Sequence, residues 1–211
     1  MAAKAFHYTS AIIPLVALTL AALLAGPTLA GHPEPSPTDQ SWELEFTHQA
    51  PDAIAVDNAE GEPQWYWYLP YKVTNHTGKK QLFVPEVTIA DNNGRVIGAG
   101  EDVSPRVFQK IKKRLKNPLL RSPASVAGTI LSGEDHAKES VAIWRASPKD
   151  VDRFSVFIAG LSGETATVED PGTGDEVILH RTLMLEYTTP GDRKTPENQP
   201  VTFQNREWVM R

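Results

Sequence analysis

The chain has 211 residues, 40% of them hydrophobic and 22% charged, which is enough apolar material for the core of one domain with an appendage. Lys and Arg number 21 against 26 Asp and Glu, a net charge of −5 without the basic footprint of a nucleic-acid-binding protein. Cysteine is absent, so disulfides, thiol catalysis, iron–sulfur clusters and Cys-containing zinc sites are excluded, and 17 Pro with 14 Gly favour turns over long helices.

Met1–Ser10 carries one strong positive charge, Lys4, and no acid. Ala11–Ala25 has no charged residue, Gly26-Pro27 breaks the run, and Thr28-Leu29-Ala30 puts small residues where a signal peptidase reads. This layout predicts a secretory signal over residues 1–30 and an exported protein, periplasmic or extracellular. The rival is an uncleaved anchor, because the apolar stretch approaches the roughly 20 residues needed to cross a bilayer. Pro14, Gly26 and Pro27 weigh against it. Membrane contact is therefore expected only through this segment, if it is retained. Gly31–Gln40 (GHPEPSPTDQ) reads as an extended Pro-rich linker to a single domain over residues 41–211.

Strand signals follow in order. Trp42, Leu44 and Phe46 alternate with Glu43, Glu45 and Thr47, as in a half-buried strand. Trp65, Trp67, Leu69, Tyr71 and Val73 share one parity, with Tyr66, Tyr68, Lys72 and Thr74 on the other. Asn75–Lys79 supplies a turn, and Leu82–Val84 begins a return through Val87 and Ile89. The turn Asp91-Asn92-Asn93-Gly94 then leads to Val96-Ile97. Ser104 is a helix cap, Pro105 suits the first helical position, and Val107, Phe108, Ile111 and Leu115 share a face before Asn117-Pro118 ends the helix. A second short helix is expected over Ala124–Leu131. Further strands fall on Ser140–Trp144, Phe154–Ala159, Thr165–Glu169, Val177–His180, Leu183–Tyr187 and Val201–Met210. The apolar parity of the last one slips, placing a bulge at Gln204–Arg206. About seven to nine short strands with one amphipathic helix inserted at about 103–131 predict an all-β antiparallel sandwich.

The segments YWYLPYKVTNHTG, FVPEVTIADNNGRVI, LSGEDHAKESVAIW and VDRFSVFIAGLSG resemble a bacterial immunoglobulin-like domain over about Tyr66–Gly163. Their style is also similar to that of uncharacterised secreted bacterial proteins. The shared motifs are structural turns, so the resemblance implies an immunoglobulin-like β-sandwich and carries over no catalytic residue. The insertion departs from the minimal sandwich.

Candidate chemistry is sparse. If the Trp parity packs the core, Tyr66 and Tyr68 face outwards and could stack on sugar rings; alternatively another element covers them. Lys110, Lys112, Lys113, Arg114 and Lys116 form the one positive patch, suited to lipid headgroups, acidic polysaccharide or an acidic protein, or serving as the solvated face of a helix. Glu134-Asp135-His136 offers metal-ligand types but reads as a polar turn. His32, His48, His76 and His180 show no ligand spacing, so no metal and no cofactor is expected. Gly160-Leu161-Ser162-Gly163 lacks the spacing and following helix of a nucleophile elbow, and Pro171–Gly174 lacks the Lys and helix of a phosphate loop. Asn75-His76-Thr77 matches a glycosylation triplet that arises often by chance. The expectation is a non-enzymatic interaction or structural protein of the bacterial cell envelope. It would bind an envelope protein or polysaccharide and no nucleic acid. The alternative is a carbohydrate-binding module using exposed aromatic residues.

Overall fold

The computed structural model describes residues 33–37, 41–146, 151–189 and 200–211. The expected signal segment lies outside the described residues, as do residues 31–32 and 38–40 of the expected linker. Among the described residues no helix is long and apolar enough to cross a membrane.

The protein is mostly β, and every strand pairing is antiparallel. In the first sheet the 12-residue β3 (Pro63–Thr74) is central. The strands β1 (Glu45–His48) and β2 (Asp52–Asp57) pair in tandem with its two ends. Between them on β3 lie Leu69 and Pro70, and the Pro70 carbonyl accepts from Gln49 N. The missing N–H of Pro70 thus falls in the gap between two partner strands, the kind of place where a strand tolerates proline. β8 (Lys138–Arg145) also pairs with β3, along residues 66–73. The second sheet runs β10 (Thr165–Glu169), β11 (Glu176–Thr188), β9 (Arg153–Ala159), β5 (Glu86–Asp91) and β6 (Val96–Gly98). β12 (Thr202–Met210) pairs with β11. β4 (Gln81–Phe83) and β7 (Gly128–Ile130) form a separate two-stranded ribbon.

The two sheets share one core. Phe46, Leu69, Val73 and Trp144 from the first meet Val156, Ile158, Leu183, Leu185 and Tyr187 from the second. Tyr187 stacks on Phe154 at 5.2 Å between ring centroids, within the range favourable for aromatic pairs. A second core lies on the opposite side of the first sheet. There Ile54, Tyr66, Tyr68, Val141 and Ile143 are covered by Val107 and Ile111 of helix α1 (Pro105–Leu115). β3 and β8 are therefore buried on both faces, which accounts for the near-continuous apolar runs YWYLPY and VAIW.

Helix α1 begins and ends where its sequence signals fall. Ser104 Oγ accepts from Arg106 N, Pro105 opens the first turn, and Lys116 adopts a left-handed φ of 51° at the C-cap. The expected second helix is shorter than its sequence suggests. α2 covers only Pro123–Val126, and Gly128 (φ 116°) then turns the chain into β7, whose Ile130 fills the main core. Lys138, buried on β8, donates to the carbonyls of Val126 and Gly128 at 2.8 and 3.1 Å. Desolvation, with a smaller contribution from Arg121, lowers its pKa. Strand β2 escaped the sequence reading. The expected bulge in the last strand is present: Glu186 opposes Asn205 while Tyr187 opposes Phe203, leaving Gln204 extra.

Burial raises the pKa of Tyr71 from 10.0 to about 12 and raises those of Tyr68 and Tyr187 as well. The unfolded chain then binds fewer protons than the native one above pH 10, so stability falls as pH rises through that range. A spectrophotometric titration is expected to show most phenolate absorbance appearing only with the loss of the far-ultraviolet β signal. Ile111→Ala, which empties a fully buried site under α1, is expected to cost about 2–5 kcal/mol in urea unfolding.

Candidate functional site

The surface around α1 holds the sequence-selected residues, and burial sorts them. Tyr66 and Tyr68 are not an outward aromatic face: they are 8% and 2% exposed, because α1 lies over that side of the sheet. The Tyr68 hydroxyl donates to Asp52 Oδ2 at 2.7 Å, and the same oxygen pairs with Arg114 at 3.0 Å. The tyrosines therefore serve the seat of the helix.

The five cations of α1 divide into two groups. β2 is an edge strand, and the outward carbonyls of Ala53 and Ala55 accept from Arg114 (3.3 Å) and Lys110 (2.7 Å). Lys112 donates to Leu120 O at 2.9 Å, holding the chain that follows the helix. These three side chains thus satisfy backbone acceptors, and two of them blunt a sheet edge that would otherwise be open to pairing with another chain. Lys113 and Lys116 are exposed, and their side chains make no hydrogen bond or ion pair among the described residues.

Two depressions flank the helix. The first, about 640 Å³, is lined by Ala53, Ile54, Ala55 and half-buried Trp65 together with Lys110, Lys113, Arg114 and Lys116. Four of the five basic residues therefore line the same depression as Trp65. The second is a groove of about 1080 Å³ on the other flank, with Val103, Phe108, Leu119, Leu120 and Ile143 among its lining and Lys112 and Arg121 beside them. Leu119 is 74% exposed there. Periodicity alone gave no reason to select Trp65, because its parity belongs to the core face. It becomes accessible because it lies near the open end of β3, opposite Ala55 on the edge strand.

Elsewhere, the turn Glu134–His136 is a single 3₁₀ turn, in keeping with a polar turn. Ser162 is buried and its hydroxyl accepts from Glu164 N, a turn-stabilising role. Asn75 is fully buried, and its amide donates to the carbonyls of Lys79 and Ile130. The glycosylation triplet is thus a turn clamp. The buried Arg181 pairs with Glu43 and Glu164 at 3.2 and 3.3 Å and stacks over Trp208, tying the segment before β1 to β11 and β12. Comparison with known protein families, with curated proteins and with solved structures finds no match.

Replacing both Lys110 and Arg114 by Met leaves the Ala53 and Ala55 carbonyls without their donors. The expected result is a stability loss of about 1 kcal/mol and a greater tendency to self-associate through β2, read by urea unfolding and light scattering.

Proposed function

We propose that this chain is an exported, non-enzymatic binding module of a bacterial cell envelope, built on an immunoglobulin-like sandwich, and that its ligand is an anionic polysaccharide. The observation that carries the ligand class is that Lys110, Lys113, Arg114 and Lys116 line one depression together with Trp65. An indole offers a flat apolar face to a sugar ring, and the ammonium and guanidinium groups around it match the carboxylates or sulfates of an acidic polymer. Lys110 and Arg114 are held in place by the β2 carbonyls, and although Asp52 pairs with Arg114, Lys110 keeps part of the positive field set before a ligand arrives. The overall excess of acid over base makes this local inversion of sign a means of selecting where an anion lands.

The immunoglobulin-like reading is supported by strand order. β3 and β8 are neighbours in the first sheet, with β1 and β2 outside β3. In the second sheet β11, β9, β5 and β6 lie in that order. With β10 and β12 as additions beside β11, this order supports reading the sheets as A, B, E against G, F, C, C′, with α1 and its flanking segments inserted between C′ and E. Export is supported by the three-part layout of residues 1–30.

Calorimetric titration with a polyuronate and with a neutral glucan tests the ligand class. The polyuronate is expected to bind, with affinity falling as salt is raised. Trp65→Ala and the double change Lys113→Glu, Lys116→Glu are each expected to weaken it by about tenfold or more, the equivalent of roughly 1.4 kcal/mol. Equal binding of the two polymers, or no binding of either, would overturn the proposal.

A further inference from the structure

We propose that Glu45, His76 and Glu134 form a binding site for a divalent transition metal ion of the zinc type, separate from the α1 surface. The three residues come from β1, the turn after β3 and the 3₁₀ turn before β8, so no short sequence motif contains them. One ligand atom from each lies within 4.8 Å of the others. His76 Nε2 is 2.7 Å from Glu45 Oε2 and 3.4 Å from Glu134 Oε1. Ligands bonded at about 2.0–2.2 Å around a tetrahedral ion stand roughly 3.4 Å apart, so one contact already has that spacing and the other must open by less than an ångström. All three side chains are about half exposed, leaving an approach for the ion and a fourth position for water.

The backbone beneath the cluster is fixed. Asn75 O accepts from Gly133 N at 2.8 Å, and Gly78 N donates to Ser132 Oγ at 3.2 Å, so the turns carrying His76 and Glu134 are joined. Lys72 sits 3.3 Å from the other oxygen of Glu134, Oε2, and so orients that carboxylate with Oε1 towards His76. With a neutral imidazole, two carboxylates and one ammonium leave a single negative charge. A bound cation supplies the balance. An imidazole beside carboxylates suits zinc and its neighbours better than calcium or magnesium, which take oxygen donors. Such an ion would cross-link segments separated by 31 and 58 residues, replacing an ion-pair cluster with coordinate bonds.

Zinc chloride titrated into the full chain, without an affinity tag, tests this by calorimetry and thermal unfolding. One saturable site and a raised melting temperature are expected. His76→Ala and Glu134→Gln are expected to lower affinity by about tenfold or more, the range for loss of a metal-site residue. Lys72→Met, which removes the competing ammonium, is expected to raise it. Zinc binding that persists unchanged in His76→Ala, no saturable binding at all, or weaker binding in Lys72→Met would each overturn the proposal. Because the variants alter exposed side chains, circular dichroism and melting without zinc should match the parent and separate lost binding from lost fold.

Discussion

The seating of α1 on the outer face of the first sheet is the constraint on which most of the molecule depends. Val107 and Ile111 close over Ile54, Tyr66, Tyr68, Val141 and Ile143, giving β3 and β8 a core on each side. Without the helix, that face would present two tyrosines and three aliphatic side chains to water, an apolar patch of the kind that drives association. The inserted segment is therefore part of the fold's stability. It also carries the basic residues that give the surface its distinctive chemistry.

The proposed binding role would draw on cations that also have a structural one. Lys110 and Arg114 reach back to the β2 edge, and in doing so bring their charges beside Trp65. An edge strand needs its outward carbonyls satisfied and its pairing blocked, and long basic side chains accomplish both. Once held there, they lose less freedom when an anion binds than mobile surface lysines would, which favours a defined recess over a diffuse positive face. Lys113 and Lys116, whose side chains have no hydrogen-bond or ion-pair partner among the described residues, supply the more adaptable charge.

The absence of cysteine leaves the sandwich to be closed by non-covalent ties. Arg181 with Glu43 and Glu164 secures the approach to β1, and Asn75 closes the turn after β3 through Lys79 and locks it to the end of β7 through Ile130. Each places a polar group out of water: two carbonyls accept from Asn75 and two carboxylates pair with Arg181, an arrangement in which losing one partner costs more than the pair contributes. The Asn75 lock also brings His76 towards Glu134, so a structural clamp positions the candidate metal ligands.

Local patterning was enough to locate α1 with its Ser104 cap and Pro105 start, most of the strands, the turn at Asp91–Gly94 and the bulge at Gln204, because each depends on neighbours within a few residues. It did not reveal β2 or β7, whose short stretches gain strand character only from pairing with β3 and β4. Alternation along β3 could not say whether Tyr66 and Tyr68 faced water, because the element that covers them arrives some forty residues later in the chain. The recess around Trp65 and the Glu45–His76–Glu134 cluster were likewise decided by tertiary structure. Their members are brought together by strand register and by turns pinned across the sheet, and no spacing along the chain encodes that proximity.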